Sequence, residues 1–264
     1  MKDKILTSLP AEYPFQDTLY WFNTIDSTNN YLKQLAQNGA PQGTAVIAGQ
    51  QTAGKGRLGR SFFSPAGKGI YLSFLFRPQC SASKLMHLTC TGAVAVCDAI
   101  EEVSQTRPGI KWTNDLILQG KKLGGILTEL SINAGGDVDY AIMGIGINCR
   151  HTAEDFPPEL VDMATSLKIA ALQDDPTKVA AAILNHLAKM CGRLLSGKDA
   201  IMNSYRQDCI TLKKDIQWSK NDVVHRGKAL DIDSDGGLIV LSENGDIETI
   251  SSGEVSVRGM YGYL

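Results

Sequence analysis

Apolar residues recur with two spacings along the chain, and the changes from one to the other divide it into elements. Short continuous or alternating apolar runs over 17–22, 44–48, 69–76 and 137–147 read as strands. A helix over 29–37 is opened by the cap cluster Asp26-Ser27-Thr28 and stopped by Asn38-Gly39. From 81 to 103, Leu85, Leu88, Val94, Val96 and Ile100 fall at helical spacing and predict one long, Ala-rich, buried helix. Two apolar runs on either side of Gln119-Gly120 predict a tight hairpin within 109–129. Residues 152–175 form a Pro- and acid-containing connection with a short helical piece, followed by amphipathic helices over 176–195, starting at Pro176, and 199–209. After 213 the pattern shortens to strands at 216–218, 222–224, 228–232, 237–241 and 246–250. Turns at Asp235-Gly236-Gly237 and Asn244-Gly245 separate the later ones, which fits a small β-barrel of about 50 residues.

This pattern delivers polar chemistry to a few places. Ser27 and Thr28 sit at a helix N-terminus, where a hydroxyl either caps the helix or binds a polar ligand group. The strand at 44–48 leads into 50–63, where Gly54, Gly56 and Gly59 alternate with Lys55, Arg57 and Arg60. That composition makes an anion cradle from backbone N–H groups and fixed cations; the competing reading is a solvated Gly-rich turn. A P-loop is excluded because Gly56 follows Gly49 to Lys55 where a Ser or Thr is required. A dinucleotide fingerprint is excluded because 61–67 cannot open a helix and the first downstream acid is Asp98.

The hairpin at 109–129 is the second loaded stretch. It lets Asp115 and Lys122 face one another on adjacent strands, beside Asn114, and Gly124-Gly125 inside a strand marks close approach of a ligand or of backbone. On spacing alone, Asn114-Asp115 also fits plain turn residues and Lys121-Lys122 solvated hairpin charges. Gly144 and Gly146 clear one face of the strand that ends at Asn148.

Composition narrows the class. The 264 residues are 43% hydrophobic, enough for one large domain and a small one, and no run approaches a membrane span or a signal-peptide core, so a cytoplasmic protein is expected. The six cysteines form no C-x-x-C pair and the four histidines lack ligand spacing, so buried thiols are expected, with neither a structural metal nor a His-based triad. Net charge is only −2, yet no Asp or Glu occurs from Ser27 to Cys97, where an even spread of the 28 acids would place about seven. Lys33, Lys55, Arg57, Arg60, Lys68, Arg77 and Lys84 make that segment positive, as an anionic ligand would require.

Six ordered motifs together resemble the biotin protein ligases, over nearly the whole chain from Asp17 to Arg258. Asp26-Ser27-Thr28-Asn29 is similar to the family's D-S-T-N, Gly54 to Arg60 to its G-R-G-R-x-G-R, and Lys111 to Asp115 to its K-W-P-N-D. Lys121 to Leu127 is similar to its K-L-x-G-I-L, Gly144 to Asn148 to its G-I-G-I-N, and Ser252 to Arg258 to its C-terminal G-E-[IV]-S-[LV]-R. The resemblance implies an α/β mixed-sheet catalytic domain related to class II aminoacyl-tRNA synthetases over 1–212 and an SH3-like barrel over 213–264. It implies an enzyme that joins biotin to ATP and transfers the biotinyl group to a lysine of a biotin carboxyl carrier protein.

Carried over residue by residue, the resemblance assigns Ser27, Thr28, Gln51, Gly54, Lys55, Gly56, Arg57, Lys122, Gly124 and Gly125 to biotin. It assigns Arg57, Arg60, Phe62, Lys111, Asn114, Asp115, Lys122 and Asn148 to ATP and the adenylate, with Lys122, Arg57 and Asp115 as catalytic groups. Mg²⁺ would enter with ATP, near Asp115. Three positions depart from the family pattern: Lys55 for Arg loses the bidentate fork, Thr113 for Pro changes local stiffness, and Phe62 for Trp weakens stacking. Only about 16 residues precede the first strand, so a DNA-binding helix-turn-helix and DNA binding are not expected, and the protein is expected to be a monomer or a homodimer. The rivals are a lipoate protein ligase and a non-enzymatic nucleic-acid-binding protein, the latter disfavoured because aromatics do not interleave with the cations.

Overall fold

The continuous apolar runs become central strands. In a computed structural model, which describes residues 1–220, 223–251 and 256–259, seven strands form one mixed sheet. They are β1 (Leu19–Phe22), β2 (Ala45–Ala48), β3 (Gly69–Phe76), β4 (Gly109–Lys111), β5 (Asp115–Leu118), β6 (Lys121–Ile132) and β7 (Val138–Asn148), in the order β1-β2-β3-β7-β6-β5-β4. Only β1 and β2 are parallel. Burial of both faces of β2 and β3 explains why their sequences are apolar at nearly every position instead of alternating.

Helices cover the sheet unequally. α1 (Lys2–Ser8), α3 (Leu88–Ser104), α4 (Pro176–Cys191) and α5 (Lys198–Asp208) enclose the main core, with Leu72, Phe74, Met143 and Ile145 facing it. On the opposite face α2 (Thr28–Gln37) packs Leu32 and Ala36 against Val46, Leu75 and Ile142. Beyond α2 that second face carries no helix among the described residues, and the functional residues gather there.

The sequence pattern misplaced some boundaries. The helix expected over 81–103 is split into a 3-10 turn at Ala82–Leu85 and α3, the backbone turning at Met86 and His87 where Gly236 packs against it. The strand expected from 17 begins at Leu19, after a 3-10 turn at Gln16–Thr18. The helix α1, whose Ile5 is buried in the core, has no counterpart in the pattern reading. Gln119 and Gly120 both have positive φ, 51° and 77°, as a two-residue hairpin requires.

The C-terminal strands are β8 (Asp215–Lys220), β9 (Val223–Ile232), β10 (Leu238–Ser242), β11 (Ile247–Ile250) and β12 (Ser256–Gly259), in one antiparallel sheet ordered β11-β10-β9-β8-β12. The two strands expected at 222–224 and 228–232 are the single strand β9; Asp222 and the first part of the C-terminal motif, 252–255, lie outside the described residues. Ile216, Trp218, Leu238 and Val240 join the same hydrophobic cluster as the large sheet, so the small sheet is packed onto it. The six cysteines are free. Among the described residues no helix is long and apolar enough to cross a membrane.

Candidate functional site

Glycines clear the floor of the site. On the uncovered face, the ladder aligns Asp115, Gly125, Gly146 and Tyr71 in one row and Leu127, Gly144 and Ser73 in the next. A Cβ on Gly146 would lie 2.4 Å from the Phe62 ring and one on Gly144 would lie 2.3 Å from the Asn29 amide. Both clearances therefore seat side chains of the chain itself, which then face the space above. That space is a cavity of about 730 Å³.

At one end the N-terminus of α2 carries a neutral polar network. Ser27 is buried but its hydroxyl makes no cap bond. The helix start is held instead by Gln51, whose Oε1 accepts from the Thr28 N–H at 2.9 Å and from its hydroxyl at 3.0 Å. Gln51 Nε2 donates to Ser64 Oγ at 3.0 Å, and Ser64 donates to the Phe62 carbonyl, which ties this end to the Gly-rich loop. Ser73 Oγ lies within reach of both Thr28 and Asn29.

At the other end the charges converge on the 111–115 turn. This turn is anchored from four sides: Trp112 N–H to Thr211 Oγ1 at 2.9 Å, the Trp112 indole to the Gly236 carbonyl at 2.8 Å, Tyr205 OH to the Thr113 carbonyl at 3.0 Å, and Asn114 to Ile126 through both main and side chain. The peptide between Trp112 and Thr113 is cis. Lys122 Nζ reaches Asp115 Oδ1 at 2.6 Å across the hairpin. Arg57 comes down from the Gly-rich loop and donates to Asn114 Oδ1 at 2.9 Å. Burial lowers its pKa below the ordinary guanidinium value, while Asp115 pulls it back up.

Two segments close over the space. The Gly-rich loop is a small hairpin, with Phe62 N–H bonded to the Gly54 carbonyl and Gly56 N–H to the Arg60 carbonyl. At its tip Leu58 adopts φ 53° and stands 62% exposed. Opposite it, Phe156, Leu160, Met163 and Ala164 line the cavity. Their segment is pinned beside β6, Lys122 N–H to the Met163 carbonyl and Thr165 N–H to the Lys122 carbonyl, both at 2.8 Å. Asn148 Nδ2 holds the Thr165 carbonyl at 3.0 Å. Behind Phe156, the buried His151 ring stacks on it at 4.8 Å, and burial lowers its pKa to about 4.

Of the residues expected at the site, Ser27, Thr28, Gln51, Lys55, Gly56, Arg57, Arg60, Phe62, Lys111, Asn114, Asp115, Lys122, Gly125 and Asn148 all line the cavity. Gly54 and Gly124 do not. A Cβ on Gly54 would meet the Phe62 carbonyl at 2.5 Å, and one on Gly124 would meet the Gly146 carbonyl at 2.3 Å, so both glycines serve backbone packing behind the wall. The acid-free segment divides likewise. Lys55, Arg57 and Arg60 face the cavity, while Lys68 pairs with Asp155 and Arg77 binds the carbonyls of Ala36 and Ala40 at the end of α2. Lining residues that the pattern reading did not assign include Asn29, Trp112, Leu127, Phe156, Leu160 and Met163. The only signal for the last three was their spacing, four and three apart, within a polar connection.

Five cations and one carboxylate line the cavity among the described residues. That arrangement suits a polyanion at one end and an uncharged hydrogen-bonding group at the other. No group of three or more His, Cys, Asp or Glu that could hold a metal occurs among the described residues. Asp115, as a single carboxylate facing a polyanion site, matches the way magnesium is held mostly by phosphates and water with one or two protein oxygens.

Residues 21–148 match the biotin/lipoate A/B protein ligase family and residues 218–258 the biotin protein ligase C-terminal domain. The bifunctional ligase/repressor BirA of Bacillus subtilis is 36% identical over 258 residues, covering 97% of this chain and 78% of the relative. The biotin–[acetyl-CoA-carboxylase] ligase of Mycobacterium tuberculosis is 29% identical, covering 87% of this chain and 85% of the relative. The biotin protein ligase of Aquifex aeolicus in complex with biotin and ATP superimposes with a TM-score of 0.76 at 30% identity, over 92% of this chain and 99% of that one.

Proposed function

Because the chain belongs to the biotin protein ligase family and is a ligase, we propose that it activates biotin with ATP and transfers the biotinyl group to a lysine of a biotin carboxyl carrier protein. The observation that carries this reading is the polarity of the cavity. Ser27, Thr28, Asn29 and Gln51 form an uncharged hydrogen-bonding end, and Arg57, Lys111, Lys122 and Asp115 a charged one, on a single glycine-cleared floor. Biotin has the same division, a ureido ring at one end and a carboxylate at the other. Lipoate carries a dithiolane in place of the ureido ring and offers this hydrogen-bonding end neither an N–H nor a carbonyl, which disfavours it.

In the first half reaction a biotin carboxylate oxygen attacks the α-phosphorus of ATP, the bond between that phosphorus and the α,β-bridging oxygen breaks, and pyrophosphate leaves. Two anions must approach. Arg57 and Lys122 offset that repulsion and stabilise charge growing on the α-phosphate oxygens, while Asp115 holds Lys122 in place and keeps a counter-charge beside Arg57. Magnesium bound with the nucleotide, beside Asp115, would neutralise the leaving pyrophosphate. In the second half reaction the carrier amine attacks the carbonyl of the mixed anhydride and AMP departs. No side-chain nucleophile is needed. The Gly-rich loop and the 156–164 segment exclude water from the anhydride. On this reading residues 1–212 carry the chemistry and residues 213–264 form a separate domain, whose Gly236 braces the 111–115 turn.

Biotin-dependent ATP–pyrophosphate exchange by the purified protein is the test, with lipoate as the competing acid. Exchange that requires biotin is expected. Exchange that requires lipoate instead, or none with either acid, overturns the proposal.

A further inference from the structure

Asn29 Nδ2 donates to Glu129 Oε2 at 2.6 Å, across 100 residues of sequence. Glu129 is two residues beyond Leu127 on β6, on the same face, and Leu127 lies beside Gly144 and Ser73 in one cross-strand row. Asn29 sits on Gly144, where no Cβ intervenes, touching Ser73 on one side and reaching Glu129 on the other.

The direction of the bonds in this network follows from what each group can do. A carboxylate only accepts, so Glu129 draws the amide NH₂ of Asn29 and turns Asn29 Oδ1 toward Ser73. Ser73 Oγ has one proton for two neighbours, Asn29 Oδ1 at 2.5 Å and Thr28 Oγ1 at 2.8 Å. The amide oxygen can do nothing but accept, so it takes that proton. Thr28 then gives its own proton to Ser73 Oγ at 2.8 Å or to Gln51 Oε1 at 3.0 Å, and keeps the lone pairs of its hydroxyl, which lines the cavity, free for another donor. Were the Asn29 amide reversed, its NH₂ would donate to Ser73, Ser73 would donate to Thr28, and one of those lone pairs would be used up.

We propose that Glu129 is a positioning residue that sets the hydrogen-bond polarity of the uncharged end of the cavity, making Thr28 an acceptor for a ligand N–H such as that of a ureido group. Glu129 does not line the cavity and acts only through Asn29 and Ser73. The inference rests on the proposed biotin activity, and it adds why that end prefers an N–H donor.

The test compares Glu129→Gln, Asn29→Asp and the double variant in biotin-dependent ATP–pyrophosphate exchange. In Glu129→Gln the introduced amide can present either of its ends, so the lock is lost: the KM for biotin is expected to rise about tenfold, with kcat and the KM for ATP within about twofold of wild type. Asn29→Asp alone sets two carboxylates together and is expected to impair biotin binding at least as much. In the double variant the introduced amide donates to the introduced carboxylate, whose other oxygen accepts from Ser73. The polarity is then locked again, and the KM for biotin is expected to fall below that of either single variant. A merely structural role gives no such reciprocal rescue. If Glu129→Gln leaves the KM for biotin unchanged, or if the folded double variant is as impaired as the single ones, the inference is overturned while the activity stands. If Glu129→Gln does not fold, the double variant alone decides, a KM for biotin no lower than that of Asn29→Asp overturning the inference. A wild-type protein without biotin-dependent exchange overturns both the activity and the inference.

Discussion

The joint between the two sheets can be weighed through one indole. Trp112 is 4% exposed, and its N–H donates to the carbonyl of Gly236, itself buried in the turn between β9 and β10. Trp112→Phe keeps an aromatic ring but removes that donor and two ring carbons. Leaving a buried carbonyl without its partner costs about 1–3 kcal/mol. The lost carbons cost about 0.8 kcal/mol each in transfer free energy. Together the substitution is expected to destabilise the protein by about 3 kcal/mol, or about 6–12 °C in Tm for a chain of this size. Urea unfolding followed by far-ultraviolet circular dichroism reads the loss directly.

Gly236→Ala probes the same joint from the other side. Its φ is 88° and a Cβ would lie 2.7 Å from Cys90 Sγ, so a comparable loss is expected there. Because Trp112 also lines the cavity beside Lys111 and Asn114, the exchange rate should fall with stability in both variants. A Trp112→Phe protein within about 0.5 kcal/mol of wild type would refute the view that this bond holds the small sheet to the site.

Arg57→Ala and Lys122→Ala should each lower biotin-dependent ATP–pyrophosphate exchange at least about 100-fold with circular dichroism unchanged, since each removes a cation aimed at developing charge; near-normal exchange in either would contradict the assigned roles. Gly146→Ala places a methyl group 2.4 Å from the Phe62 ring and should push that ring into the cavity, raising the KM for ATP about tenfold in the same assay. His151 supplies a pH prediction: its native pKa of about 4 lies below the ordinary 6.5, so between these values the unfolded chain binds the proton and the native state does not. Stability is lost as pH falls through that window, and wild type should lose about 2 kcal/mol more than His151→Phe between pH 7 and pH 5 in urea titrations.

Much of the site was legible because its chemistry coincides with local pattern. Gln119-Gly120 between two apolar runs fixes a two-residue hairpin, which puts Asp115 and Lys122 on one face of adjacent strands. They do not face one another but meet diagonally, since Lys122 lies opposite Ile117 and Asp115 opposite Gly125, across a bulge that the sequence does not show. The glycines were legible as clearances but not in what they clear. Gly144 and Gly146 announce missing Cβ atoms, yet only the packing of α2 and of the Gly-rich loop shows that Asn29 and Phe62 fill the space. The 156–164 wall was not legible, since Phe156, Leu160 and Met163 stand among prolines and acids and gain an apolar role only when Lys122 pairs with that segment. The break before α3 left no mark in the apolar spacing either, and Gly236, which packs beside it at Met86 and His87, is far away in sequence.

The positive segment shows how a composition signal overstates a site. A run without acids raises the potential over a whole surface, but catalysis needs charge at one point. Lys68 and Arg77 are held elsewhere, by Asp155 and by the last carbonyls of α2, and so contribute field without contact. Arg57 reaches the reacting end because Asn114 offers it an acceptor, and Asn114 is there because Ile126 binds it through both its main chain and its side chain. The turn at 111–115 is therefore the point where the Gly-rich loop, the hairpin, α5 and the small sheet all meet. A change at Tyr205, Thr211 or Gly236 should reach Arg57 through that turn, whereas a change at Lys68 or Arg77 should act on stability and leave the geometry around Asp115 and Lys122 intact.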